Sequence, residues 1–292
     1  MKNNNIIKFI KTLVSIARII KYTKPVRIPF PIRKKNDILL IGNGPSLNHF
    51  LENHMDFLGN KDSMCVNEFA NSSYYEQIQP TYYTIIDPAY FEKEPDPFFR
   101  VELNRLEDNL NAKTSWEMTL FLPMLYKNHK KYRKFNIKNQ KITIYYYNNT
   151  IIDGLRFFKN IAYKYNFGAP TAQNVLVAGG YILIRLLYRN IYFVGADHSW
   201  HNEIKVDEEN KLLLKDKHFY NTDITYSPWE KDLKTHELWK IHEIFYALGK
   251  MFEGYHELKD FGDSMDSKFY NLTENSFIDA FPKVNIDAII KK

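Results

Sequence analysis

Asp37-Ile38-Leu39-Leu40-Ile41-Gly42-Asn43-Gly44-Pro45-Ser46-Leu47 runs a short apolar segment straight into a turn with two glycines, and its reading decides the fold. A near-continuous apolar run that stops at a glycine turn is the pattern of a strand buried on both faces. Further runs at Ser63–Val66, Tyr82–Ile86, Lys141–Tyr147 and Asn190–Val194 alternate with stretches of helical length, such as Leu47–Phe57 and Ala172–Tyr188. Strands alternating with helices predict an α/β fold, a mostly parallel sheet with helices on both faces. Glu92–Asn136 is charged and aromatic without a clean period and reads as a helical insertion over the sheet edge. Residues 198–230 read as a long loop or small lid, Thr235–Gly254 as a helix and Lys268–Leu272 as a last strand.

The chain has 292 residues and is 45% apolar, enough to bury a full core in residues 36–292 as one large domain. Sparse Gly and Pro exclude collagen-like and low-complexity architectures. The single cysteine, Cys65, excludes an internal disulfide and a cysteine-based metal site, and reads as a buried, inert thiol. Lys8, Lys11 and Arg18 interrupt the N-terminal apolar residues and no small-residue cleavage site follows, so a cytoplasmic location is expected. A nucleic-acid-binding protein spreads its basic residues over the fold with interleaved aromatics, and that pattern is missing, so no nucleic-acid partner is expected.

Residues 1–35 carry only Lys and Arg as charged residues, from Lys2 to Lys35. Within them Ile6–Ile20 places apolar residues at helical spacing, with Lys8, Lys11, Thr12, Ser15 and Arg18 between. The stretch is too short and too polar for a bilayer span of roughly 20 apolar residues. It fits a basic amphipathic helix lying on an anionic membrane surface, peripheral at the inner face of the cytoplasmic membrane. Packing on the domain or on a second subunit is the other reading, and a homo-oligomer stays open. Pro25, Pro29 and Pro31 then mark an extended linker.

Glycines after a strand let the backbone approach a ligand, and the following helix N-terminus offers amides to a phosphate. Gly42–Leu47 is neither a Walker motif nor the three-glycine dinucleotide fingerprint, and a plain strand-to-helix turn fits its spacing equally well. A second apolar run, Tyr192-Phe193-Val194, ends in Gly195-Ala196-Asp197. At the carboxyl ends of strands in an open sheet, Asp197 and the Gly42 turn can line one crevice.

In order and separation, these segments together with Cys65-Val66-Asn67-Glu68-Phe69, Asp87-Pro88-Ala89-Tyr90-Phe91 and Gly168–Ala178 resemble the bacterial lipooligosaccharide sialyltransferases. The first motif is also similar to one in the archaeal-type pterin pyrophosphokinases. The sialyltransferase resemblance spans Ile38 to Pro282. It implies a Rossmann-like domain with a small helical lid, no cofactor or metal, a CMP-activated sugar donor and a glycan or glycolipid acceptor. It places Gly42, Asn43, Gly44, Ser46 and Asn67 at the donor phosphate and ribose, and Gly195 and Asp197 at the nucleotide. Asp87 stands where the family has Asn, and Thr171-Ala172-Gln173-Asn174 replaces a Thr-Ser-Gly turn; Asp87, Thr171 and Gln173 join the donor set on that register. After Asp197 the family carries tyrosines that hold the leaving phosphate, whereas this chain has His198, Ser199 and Trp200.

Sugar transfer needs a base for the acceptor hydroxyl, and histidine suits that near neutral pH. The family's base falls near Lys231 in this register, which points to His236 at the start of the Thr235–Gly254 helix, with His218 in the lid as its rival. His198, His201 and His242 are further candidates, and their spacing supports no zinc pair. Two other functions stay open. One is a metal-dependent pyrophosphokinase or related nucleotide-using transferase with Asp87 and Asp197 at the metal, and the other is a non-catalytic, membrane-associated nucleotide binder.

Overall fold

The computed structural model describes residues 2–26, 30, 33, 35–59, 61–127, 129–215, 225–232 and 235–290. From the N-terminus the elements are α1 (Lys2–Tyr22), β1 (Asp37–Ile41), α2 (Leu47–His54), β2 (Asp62–Val66), α3 (Tyr75–Ile78) and β3 (Tyr82–Thr84). Then come α4 (Pro97–Lys113), β4 (Met118–Pro123), β5 (Ile142–Tyr147), α5 (Arg156–Lys164), α6 (Val175–Arg185) and β6 (Asn190–Val194). Short strands β7 (Ile204–Val206), β8 (Leu212–Leu214), β9 (Ser227–Pro228), β10 (Glu230–Asp232) and β11 (Glu237–Leu238) precede α7 (Ile241–Asp263), β12 (Lys268–Asn271) and α8 (Ile286–Ile290).

Seven strands form one sheet in the order β12-β6-β1-β2-β3-β4-β5, with every pairing parallel. The chain walks outward from β1 to β5, then returns to the far side of β1 for β6. Strand order therefore reverses between β1 and β6, where ligand crevices form at the strands' carboxyl ends. The apolar run of β1 feeds two cores at once: Ile38 and Leu40 pack with α6 and α7, Leu39 and Ile41 with α2 and α4. Each such side chain contributes about 1.5–3 kcal/mol on burial. Helix α6 is buried from Val175 to Ile184. A Cβ on Gly179 would lie 2.9 Å from Leu40 Cδ1, and one on Gly180 would lie 2.7 Å from Leu258 Cδ1 of α7. The glycine pair lets α6 sit tightly between sheet and α7.

Four sequence expectations are corrected. The expected insertion at 92–136 holds α4, but also β4, which pairs with β3 and β5 inside the sheet. Its Met-Thr-Leu-Phe-Leu-Pro run is almost wholly buried between two strands, a position its charged and aromatic flanks conceal. The expected helix from Thr235 begins at Ile241, where Lys240 N donates to Glu243 Oε2 at 3.1 Å, and β11 occupies part of the gap. Among the described residues the lid holds one 3-10 turn, Trp200–Glu203, and is otherwise built of strands: β7, β8 and β9 form an antiparallel sheet, and β10 pairs with β11. The turn between β7 and β8 is set by Asp207, whose Oδ1 accepts from Glu209 N at 3.0 Å and Lys211 N at 2.8 Å. The local Asx bonds favour that turn over a helix in this charge-rich stretch. Finally, strand β3 ends at Thr84, two residues short of the expected boundary.

Helix α1 packs on the body with its polar edge. Thr12 and Ser15 are buried, while Ile6, Ile7, Phe9, Ile10, Leu13, Val14, Ile16 and Ile20 are 39–80% exposed. Ser15 Oγ donates to Asp153 O at 2.9 Å and accepts from Asp153 N at 2.8 Å, and Thr12 Oγ1 accepts from Leu155 N at 2.9 Å. Lys11 pairs with Asp153 at 2.8 Å. Gly154, at φ +117°, lies where a Cβ would come within 2.2 Å of Thr12 Oγ1. Among the described residues no helix is long and apolar enough to cross a membrane. Of the linker prolines, Pro25 is described, and Pro29 and Pro31 lie outside the described residues.

Candidate functional site

The turns after β1 and β6 lock onto each other. Gly42 N donates to Val194 O and Gly44 N to Gly195 O, both at 2.9 Å. A Cβ on Gly42 would meet Gly195 O at 2.5 Å, and one on Gly44 would meet Asp197 Oδ2 at 2.0 Å. Gly195 itself has φ +62°. The glycines are thus required by contact between the two turns. Asp197 accepts from Ser46 Oγ at 2.7 Å and Ser46 N at 3.3 Å, and Leu47 N donates to Gly44 O. Two amides at the start of α2, Ser46 N and Leu47 N, expected to face a phosphate, are taken inside the protein. Burial raises the Asp197 pKa, against the lowering effect of the Ser46 bonds.

Beside the locked turns lies a cavity of about 120 Å³, adjacent to a second of about 520 Å³; Asn67, Asn174 and Val175 line both. Together they fall in the roughly 300–1,000 Å³ range of small-molecule sites. Gly42, Asn43, Gly44, Gly195 and Asp197 line the first, and Asp87, Thr171 and Gln173 the second. Ser46 lies across Asp197 in a separate cavity of about 570 Å³. The carboxamide oxygens Asn43 Oδ1 and Asn67 Oδ1 are buried with no hydrogen-bond partner. Leaving a buried acceptor unpaired costs about 1–3 kcal/mol, so both invite a ligand's N–H or O–H. Asn67 holds φ +47°, a left-handed conformation that Asn tolerates better than most residues.

Helix α6, in contrast to α2, begins at the junction of the two cavities, and its first turn carries no acid. Asn174 caps it: its Oδ1 accepts from Leu176 N at 2.8 Å and from the Tyr255 hydroxyl at 3.3 Å. Behind Tyr255 stands His198, buried, at φ +55°, its Nε2 hydrogen-bonded to the Tyr255 hydroxyl and its ring stacked on Trp200 at 4.9 Å. Burial lowers the His198 pKa to about 3, so the ring is neutral near pH 7. A proton on Nε2 satisfies His198, Tyr255 and Asn174 together. Lys215, at the end of β8, is the one Lys or Arg lining the first cavity among the described residues.

No family model and no curated protein matches the sequence. Among solved structures, the MAf glycosyltransferase from Magnetospirillum magneticum AMB-1 is similar, with 10% identity and a TM-score of 0.48. The match covers 94% of this chain and 38% of that one. Likeness at this level leaves the reading of the site to its geometry.

His236 sits at φ +56° just before β11, 72% exposed, with Nδ1 3.1 Å from Glu230 Oε1, and lines none of the cavities above. His218 lies outside the described residues. His201 meets the Phe277 ring edge-on at 4.2 Å, and His242 is exposed on α7. Asp87 Oδ1 accepts from Ala89 N at 2.9 Å, and burial raises its pKa. Asp87 and Asp197 line different cavities, and among the described residues no three His, Cys, Asp or Glu side chains gather in a metal-holding group. Sequence reasoning missed Asn174, His198, Tyr255 and Lys215 as a set. Asn174 had a signal, an Asn directly before an apolar run that reads as a helix N-cap; Lys215 had none.

Proposed function

We propose that this chain is a sugar transferase that binds a nucleotide-activated donor where the strand order reverses, and that it works on a membrane surface. The observation that carries the reading is the pair of unpartnered oxygens, Asn43 Oδ1 and Asn67 Oδ1, in one cavity with the α6 N-terminus and Lys215. Glu68, Asp197 and Glu203 line the same cavity, so a phosphate is placed at the end formed by Lys215 and the α6 amide dipoles, and the two carboxamides accept from the base or ribose. The resemblance to sialyltransferases favours a CMP-linked acidic sugar and a surface-glycan acceptor such as lipooligosaccharide or capsule.

In the transfer, an acceptor hydroxyl oxygen bonds to the anomeric carbon as the bond from that carbon to the donor phosphate oxygen breaks. The electron pair leaves with the phosphate, where Lys215 and α6 offset the growing charge. The hydroxyl proton goes to a base. Asp87 is the one carboxylate or histidine lining the second cavity among the described residues, and its raised pKa suits proton uptake. Asp87 therefore stands beside His236 and His218 as a base to be tested.

A donor screen by product mass tests the reading. Transfer from a CMP-sugar without added metal is expected, with Asp87→Asn, His236→Ala and His218→Ala compared on the same donor; activity that requires Mg²⁺ and ATP overturns it. Membrane docking is supported by α1, which holds its hydroxyl edge inward and its apolar face outward. Vesicle flotation of the wild type against Ile10→Asp with Leu13→Asp checks it, and equal flotation refutes it.

A further inference from the structure

A fourth open region lies between the end of α1 and the loops after β4 and β5, a groove of about 770 Å³. Arg18, Lys21, Lys24, Lys127 and His129 line it, and no Asp or Glu does. Among the described residues none of the five pairs with a carboxylate; Lys21 and Lys127 each rest over a tyrosine ring at 5.0 Å. The groove is held in shape by Asn148, which accepts from Lys24 N at 3.0 Å and donates to Lys24 O at 2.8 Å, fastening the end of α1 to the end of β5. Asn149 and Ile151 line this groove and the second cavity alike. The groove, the second cavity and the first cavity are thus neighbours in series, each sharing lining residues with the next.

We infer that this groove holds the phosphate headgroup of an anionic glycolipid acceptor, whose glycan reaches through the second cavity to the donor. The inference rests on the sugar-transferase reading for the word acceptor, and on the groove itself for the phosphate. Uncompensated cations draw a phosphate, and charge-assisted bonds to Lys and Arg hold it. A lipid is the source favoured over a free anion because Arg18 and Lys21 stand on the same helix as the exposed apolar face. A bilayer that takes that face brings its headgroups to the groove.

The test is flotation of the full chain with phosphatidylcholine vesicles, with and without phosphatidic acid, comparing Lys127→Glu with Lys268→Glu. Both change charge equally; Lys127 lines the groove, whereas Lys268 is exposed at the amino end of β12, off α1 and outside the groove. A change of two charges beside an anionic headgroup is expected to weaken phosphatidic-acid binding roughly thirtyfold for Lys127→Glu. A much smaller loss is expected for Lys268→Glu. Equal losses overturn the groove in favour of diffuse attraction. Inorganic phosphate added as competitor is expected to leave the protein on the vesicles, and full release by it overturns the lipid source. Lys127→Gln, checked for a wild-type melting curve, is expected to repeat the loss in weaker form; a folded Lys127→Gln with wild-type flotation overturns the site. Calorimetry of CMP with the wild type separates the two claims, since absence of nucleotide binding sinks the transferase reading and leaves a selective Lys127 effect standing.

Discussion

Helices α2 and α6 start at the same reversal of strand order and both spend early amides inside the protein, α6 giving Leu176 N to Asn174 Oδ1 and Val177 N to Asn174 O, yet they border different spaces. The more conspicuous sequence, Gly42-Asn43-Gly44-Pro45-Ser46, leads into α2, whose first amides end on Asp197 and the Gly44 carbonyl. Plain Asn174 leads into α6, whose start lines two adjacent cavities. A glycine turn reports that something approaches the backbone closely. Here the approaching group is the chain's own Gly195 turn, and the first cavity lies between that turn and the start of α6.

The widest effect expected on the α6 side is acid sensitivity. Between pH 6.5 and about 3 an unfolded histidine binds a proton that folded His198 does not. The unfolded state then holds more protons, so stability rises with pH through that window and is lost on acidification, by several kcal/mol. Urea titrations at a series of pH values measure this, and His198→Gln is expected to flatten the slope; an unchanged slope breaks the link between His198 and α6. On the α2 side, Gly44→Ala drives a Cβ into Asp197 Oδ2 and is expected to cost about 3 kcal/mol of stability. Denaturation of that variant at wild-type stability means the turns are not locked.

Lys215→Ala is expected to lower kcat by about 10²-fold while the donor KM changes little, as for loss of one group facing a developing charge. A change confined to KM assigns Lys215 to ground-state binding instead. The smallest contrast sharpens the comparison most. Asn67→Ala is expected to weaken CMP binding roughly tenfold, whereas Ser46→Ala costs about 1 kcal/mol of stability and leaves CMP affinity alone. Calorimetry on both reads it directly, and the reverse pattern returns the phosphate to α2.

The sheet was legible wherever a strand announced itself as an apolar run closed by a turn: β1, β2, β5 and β6 lie within a residue of their expected limits. β4 was hidden because burial by two neighbouring strands leaves no alternation to find, and Glu117 and Thr114 beside it look like surface. The meeting of Asp197 with the Gly42 turn was legible too, because the carboxyl ends of parallel strands share one edge. What that meeting does was not, since spacing cannot tell an amide that waits for a phosphate from one that already serves Asp197. His198 shows the same limit: its burial behind Tyr255 comes from α7, more than 40 residues later, and no local pattern carries it.

The seam that holds α1 consists of directional bonds between Thr12 and Ser15 and three backbone groups of Asp153 and Leu155, closed by the glycine between them, which leaves no slack. Greasy contacts would let a helix roll; hydroxyl bonds to fixed amides do not. Turning α1 by one residue, about 100°, leaves the Asp153 and Leu155 amides without acceptors. The helix is therefore a keel of fixed pitch. Whatever covers its outer face, bilayer or second copy, meets the body at one angle, and so sets the height at which the cationic groove and the cavities behind it stand above that surface.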